Sequence, residues 1–159
     1  MKTIRFGRGA ALIFAVLLAF GSCSDGSTDD PFGEFNEALA DLNRGTPSDS
    51  SMLNPVGLTG KNLSSLTSTG GYQGYDFDGE LTLVWTGRIA SDYTSVKTLA
   101  AALLGGTFLE TEEATYKAAY CQYGGSQYEC GIVFTKNATD ADGALIPAGV
   151  IMVVFGPKS

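Results

Sequence analysis

Hydrophobic positions along the chain change their spacing from segment to segment, and each spacing predicts a different element. Ala10–Phe20, AALIFAVLLAF, is apolar without interruption. It has no polar face and is shorter than the roughly 20 residues a membrane-crossing helix needs. Phe32–Asn43, FGEFNEALADLN, places Phe35, Leu39 and Leu42 at helical spacing, with Pro31 before and Gly45 after, and reads as a short amphipathic helix. Thr46–Gly74 is rich in Ser, Thr, Gly and Asn and predicts a long loop with little regular structure. From Tyr75 onward the periodicities sharpen. Glu80–Thr86 alternates, with Leu81, Leu83 and Trp85 on one side and Thr82 and Thr86 on the other, the mark of a half-buried strand. Tyr93, Val96, Leu99, Ala100, Leu103 and Leu104 recur at helical spacing between Ser91 or Asp92, which can cap the start, and Gly105-Gly106, which stops it.

Two more strands follow, Thr115–Tyr123 and Tyr128–Lys136, joined by a hairpin turn at 124–127, and Asn137–Gly143 predicts a further turn. Val150–Phe155, VIMVVF, is apolar on both faces and reads as a central strand covered on both sides. The predicted fold is α+β. One helix packs on a face of a small, mostly antiparallel sheet of about four strands in the order β-α-β-β-β, preceded by a short helix and a long loop. The predicted domain organisation is a leader over 1–22, a polar tether over 23–31, helix and loop over 32–74, and the α+β domain over 75–159. No internal repeat is visible.

Lys2, Arg5 and Arg8, the short apolar run and the small residues after it form the pattern of a secretory signal. Two processing routes fit. Ala19-Phe20-Gly21 suits an ordinary signal peptidase cutting after Gly21. Phe20-Gly21-Ser22-Cys23 resembles the lipobox of bacterial lipoproteins, through Gly21, Ser22 and Cys23. That resemblance covers residues 1–23 only. It implies that Cys23 is lipidated and becomes the first residue of the mature chain. By the sorting rule of the same family in enteric bacteria, Ser24 implies the outer membrane. Cysteine parity favours the lipoprotein route. The three cysteines are 23, 121 and 130, and an exported chain with an odd number leaves one over unless Cys23 carries lipid. Cys121 and Cys130 then flank the hairpin turn and are expected to form a disulfide, adding roughly 2–3 kcal/mol to a small core. Their spacing is not the C-x-x-C of a redox-active pair.

Charge narrows the partners. Removing residues 1–22 removes three basic residues and no acids, leaving seven basic against seventeen acidic residues and a net charge of −10. Such a chain is repelled by nucleic acid and by anionic lipid surfaces, so no nucleic-acid partner is expected and the membrane is reached through the lipid on Cys23. The chain has no histidine, which removes the usual general base and the commonest metal ligand.

Candidate chemistry is sparse. Asp76-Phe-Asp78-Gly79 and Asp140-Ala-Asp142-Gly143 hint at calcium loops. Aligned on an EF-hand, they put Gly74 and Ala138 at the first position and Trp85 and Gly149 at the twelfth, where oxygen ligands are needed, so they read as turn aspartates. Asn62-Leu-Ser64 and Asn137-Ala-Thr139 match the glycosylation sequon by chance. Glu110, Glu112 and Glu113 cluster just before the Thr115–Tyr123 strand, and Asp92 stands at the start of the second predicted helix. A hydrolase would need two of these converging in a cleft. Gly70-Gly71-Tyr72-Gln73-Gly74-Tyr75 lacks the lysine and helix start of a phosphate loop. Tyr72 and Tyr75 can instead offer contact area to a partner.

The expected function is therefore non-catalytic: a membrane-anchored envelope module, facing the periplasm or the cell exterior, that binds an envelope protein partner or serves structurally. No catalytic residue, cofactor or metal is assigned. The alternative is a small envelope hydrolase using carboxylates. The helix closed by "ALLGG" and followed by antiparallel strands faintly resembles small accessory lipoproteins of outer-membrane assembly machines, from which no residue role is carried over.

Overall fold

The structure is a computed structural model that describes residues 36, 39–40, 42–136, 138–139 and 145–158. The leader, Cys23, the tether, Phe35 and the Asp140–Gly143 turn lie outside the described residues. Two one-turn helices, α1 (Ser50–Leu53) and α2 (Ser64–Thr67), precede strands β1 (Tyr72–Phe77) and β2 (Leu81–Trp85). The long helix α3 (Ala90–Leu104) follows. Then come β3 (Leu109–Glu112), β4 (Tyr116–Tyr123) and β5 (Tyr128–Thr135). A two-residue pair, β6 (Ala138–Thr139) and β7 (Leu145–Ile146), leads into β8 (Ile151–Pro157).

The fold is α+β, and its sheet is larger than the pattern predicted. Six strands pair in the order β1-β2-β8-β5-β4-β3, antiparallel throughout. The two added strands are the edges, β1 and β3. Neither shows simple alternation, which is why periodicity passes over them.

The front face of the sheet carries three rows of in-register side chains. Leu83, Val153, Ile132 and Ala119 form the middle row. Leu81, Phe155, Cys130 and Cys121 form the row on one side, and Trp85, Ile151 and Phe134 the row on the other. Tyr93, Val96 and Ala100 of α3 pack on this face. The helix starts two to three residues earlier than the Ser91 or Asp92 cap predicts. Ile89 is its N-cap, and Asp92 reaches back to accept the Ile89 backbone N–H at 3.0 Å, filling one of the orphan bonds of the first turn. Gly105, at φ +68°, ends it in the left-handed conformation that glycine adopts without a Cβ clash.

The Thr46–Gly74 stretch, predicted as a long loop, contributes to the core. Leu53, Val56, Leu58, Leu63 and Leu66 are all buried in the same cluster as the strand rows. Tyr123 of β4 donates its hydroxyl hydrogen bond to the Val56 carbonyl, and Tyr123 stacks on Tyr128 at 5.5 Å between ring centroids. These spacings follow neither a helical nor a strand period, so sequence pattern alone does not mark the segment as buried.

The back face is apolar too. The alternation predicts a half-buried strand with Thr82 on its open side, yet all five residues of β2 are buried, Thr82 and Val84 included. The cause is the N-terminal segment. Asn36, Leu39 and Ala40 are helical, in accord with the short helix expected over 32–43, and Leu39 and Leu42 pack against Val84, Val150 and Met152. The chain then rounds the open edge of β1. Asn43 forms a lone antiparallel bridge with Tyr75, whose N–H donates to the Asn43 carbonyl at 2.7 Å. The Thr46 hydroxyl meets that of Thr67 at 3.3 Å on the far side of the turn. Leu39, Ala40 and residues 42–46 thus belong to a strap over the edge of the sheet, and the strap passes at Gly74. A Cβ there would stand 2.5 Å from the Asn43 carbonyl oxygen and 3.3 Å from Leu42 Cβ, so the close crossing requires glycine.

Candidate functional site

Side chains in a regular strand alternate, so residues three apart point to opposite faces. Tyr72 and Tyr75 break that rule. The β1–β2 register slips between Tyr72 and Gly74: Tyr72 pairs with Trp85, Gly74 with Val84, Tyr75 with Leu83 and Phe77 with Leu81. The extra residue, Gln73, is a β-bulge of the kind that re-aims a side chain at a sheet edge. Tyr72, Tyr75 and Phe77 consequently share the front face. They form an aromatic rim beside the Trp85, Leu83 and Leu81 column, and all three are half-buried against the core.

The rim is not uniform. Tyr72 turns inward, its ring edge-on to Trp85 at 5.4 Å and 64°. Its hydroxyl and the Trp85 indole N–H are both buried, and neither finds a hydrogen-bond partner among the described residues. Burial first, and the neighbouring Tyr75 second, hold the Tyr72 phenol well above its ordinary pKa. Tyr75 and Phe77 are the rim members whose role is not already spent on Trp85. The Arg88 side chain covers the preceding Gly70-Gly71 pair, its guanidinium lying where a side chain on Gly71 would sit. Its Nε donates to the Thr86 carbonyl at 3.1 Å.

The carboxylates named from sequence have other occupations. Glu110 and Glu112 project from the front face of β3 toward α3. Glu110 accepts from the Tyr93 hydroxyl at 3.4 Å and from the Lys97 ammonium. Glu112 is held by Lys117 at 3.1 Å and by Lys136. Hydrogen bonds from Lys136, then Lys117, push its pKa down, the reverse of what a general acid needs at neutral pH. Glu113 is exposed, and its carbonyl accepts from Lys136 at 3.1 Å. Asp92 serves the helix start. Asp76 accepts from the Phe77 N–H at 2.8 Å, and the Asp78 N–H donates to the Glu80 carbonyl at 3.2 Å, so both aspartates shape the β1–β2 turn. Asn62 accepts from the Ser64 N–H at 2.9 Å in the same local way. Among the described residues no group of three or more Cys, Asp or Glu is placed to hold a metal ion.

One carboxylate pair went unnoticed in the sequence because its members are 49 positions apart. Glu80 lies against Gly156, where a Cβ would meet its Oε1 at 2.9 Å. Glu129 pairs with the same Gly156 from the other side. Glu129 accepts from the Tyr120 hydroxyl at 2.8 Å, which in turn accepts from the Gln122 amide at 3.0 Å. Burial first, then repulsion from Glu129, raises Glu80 above its ordinary 4.5. A carboxyl whose folded pKa is raised favours the native state while protonated. That contribution is complete below 4.5 and is lost as pH climbs through the raised value. Glu80→Gln should therefore raise the melting temperature at pH 7 and remove a fall in stability just above pH 4.5. Melting curves from pH 4 to 8 check this, and an unchanged pH profile would refute it.

Cys121 and Cys130 are free thiols in this structure, both buried and directly opposite each other in the β4–β5 register. Burial pushes the Cys121 thiol up to about 11 and raises Cys130 well above its ordinary range. Comparison with protein families, with curated proteins and with solved structures finds no match. Among the described residues no helix is long and apolar enough to cross a membrane.

Proposed function

We propose that this chain is a bacterial envelope lipoprotein, anchored by lipid on Cys23, whose α+β domain binds an envelope protein partner rather than catalysing a reaction. The observation that carries the binding reading is the bulge in β1. It gathers Tyr72, Tyr75 and Phe77 onto one face at the sheet margin, giving three aromatic rings where regular alternation would give scattered ones. Aromatic side chains contribute large contact area with few torsions to freeze. Support for a non-catalytic role comes from the lysines that neutralise Glu110 and Glu112. The hydrolase alternative keeps one favourable observation, the raised Glu80 beside Glu129.

The test is in-cell cross-linking of the anchored protein, with mass spectrometry of what co-purifies. Tyr75→Ser is the cleaner probe, because Tyr72→Ser also removes the packing on Trp85. One reproducible partner that Tyr75→Ser reduces several-fold, without a change in melting temperature beyond what surface substitutions give, supports the reading. A partner profile identical for wild type and Tyr75→Ser removes the rim as the contact surface. Hydrolysis of envelope polymers by the pure protein that Glu80→Gln abolishes would install the alternative.

A further inference from the structure

The hydrogen-bond phase of the sheet fixes how Cys121 and Cys130 face each other. In an antiparallel strand the N–H and C=O of one residue point the same way, and successive residues alternate sides. Thr135 donates to Val150 at 2.9 Å, and Gln127 accepts from Lys158 at 2.8 Å, so the odd-numbered residues of β5 bond toward β8. Lys136 donates to Thr115 at 2.7 Å, so the even-numbered ones bond toward β4. Cys130 is even-numbered and Cys121 is its register partner. They form a hydrogen-bonded pair, with Cα atoms about 5.5 Å apart, inside the Cα range of roughly 4.4–6.8 Å that a disulfide spans, and bond formation must draw their Cβ atoms together from the wider spacing of such a pair. Both side chains lie on the front face. Cys121 is 2 % and Cys130 0 % exposed, under the layer that carries α3 and the 53–66 segment. Gly106, just past the end of α3, closes over Cys121: a Cβ there would be 3.4 Å from its Sγ.

We infer that Cys121 and Cys130 are a cross-strand disulfide site that can be oxidised only while the front face of the β4–β5 hairpin is uncovered, before the helices seal it. The hairpin is local in sequence, so its strands meet on a faster timescale than the long-range docking of the helices. Its closure brings the thiols together while they are still wet. A thiolate of one cysteine attacks a sulfur of an oxidised disulfide donor, giving a mixed disulfide and one donor thiolate. The second cysteine's thiolate then attacks the protein sulfur of that mixed disulfide and releases the other donor thiolate. The protein loses two protons and two electrons, and the donor disulfide is reduced to two thiols. Once α3 and the 53–66 segment dock, the sulfurs are out of reach and their thiolates scarce. From then on the redox state is locked in whichever form the hairpin held.

The test refolds the full-length chain from denaturant in a buffer of oxidised and reduced glutathione, beside the already folded, reduced chain in the same buffer. Alkylation under denaturing conditions and peptide mapping read each cysteine. The expected result is a 121–130 bond in the refolded sample and two alkylated cysteines in the folded one, whose oxidation accelerates at least about ten-fold when denaturant opens it. Two free thiols at 121 and 130 after refolding, or a bond from Cys23 to either, would overturn the pairing. Oxidation of the folded chain as fast as that of the unfolded one would overturn the timing.

Discussion

Gly74→Val is expected to unseat the N-terminal strap and to lower the melting temperature by roughly 6–12 °C, corresponding to about 2–3 kcal/mol of overpacking and lost burial. The side chain would enter the space held by the Asn43 carbonyl and Leu42 Cβ. Neither neighbour can move without consequence. Asn43 carries the only bridge among the described residues outside the named strands, and Leu42 packs with Val84 and Met152. Hydrogen exchange locates the damage: the Tyr75 amide, bonded to Asn43, should lose protection far more than the amides of β5. Equal loss across the sheet would mean that the substitution destabilises globally and that the strap has no separate identity.

Leu66→Ala is the second large expectation. Leu66 is fully buried in the main cluster, and truncating a buried leucine costs about 2–5 kcal/mol. A residue in a loop wandering over the surface would change stability by no more than about 0.5 kcal/mol. Chemical denaturation separates the two. A shift of the midpoint with an unchanged slope places the 50–69 segment inside the cooperative unit, and a silent substitution would return it to the surface.

Why Leu66 escaped the sequence pattern is instructive. Its apolar neighbours, Leu53, Val56, Leu58 and Leu63, are set among serines, threonines and glycines with no repeating interval, because one-turn helices and turns never repeat long enough to establish one. The opposite holds for β2, α3, β4, β5 and β8. There the buried side recurs over five or more residues, and the elements lie within about two residues of where periodicity puts them. Edge strand β3, Leu-Glu-Thr-Glu, buries too little to leave a pattern. Edge strand β1 hides behind its own bulge, which converts an alternation into an interval of three. The same bulge limits how much of the candidate site was legible. Tyr72 and Tyr75 stand out as aromatic residues among glycines, but their shared face depends on register. The ion pairs of Glu110 and Glu112 were invisible for a related reason: Lys97 lies on α3, Lys117 on β4 and Lys136 just past the end of β5.

The strap also decides how the domain would respond to force. A chain held through its N-terminus transmits tension to the strap before any strand of the sheet. Leu39 and Leu42 resist by burial, and the Asn43–Tyr75 bridge resists as a single backbone bond, loaded alone rather than in parallel with others. Such a junction peels before the body yields. Under pull from that end the molecule would lengthen by releasing the strap, with the six strands still paired, so that the strap acts as a mechanical fuse ahead of the sheet.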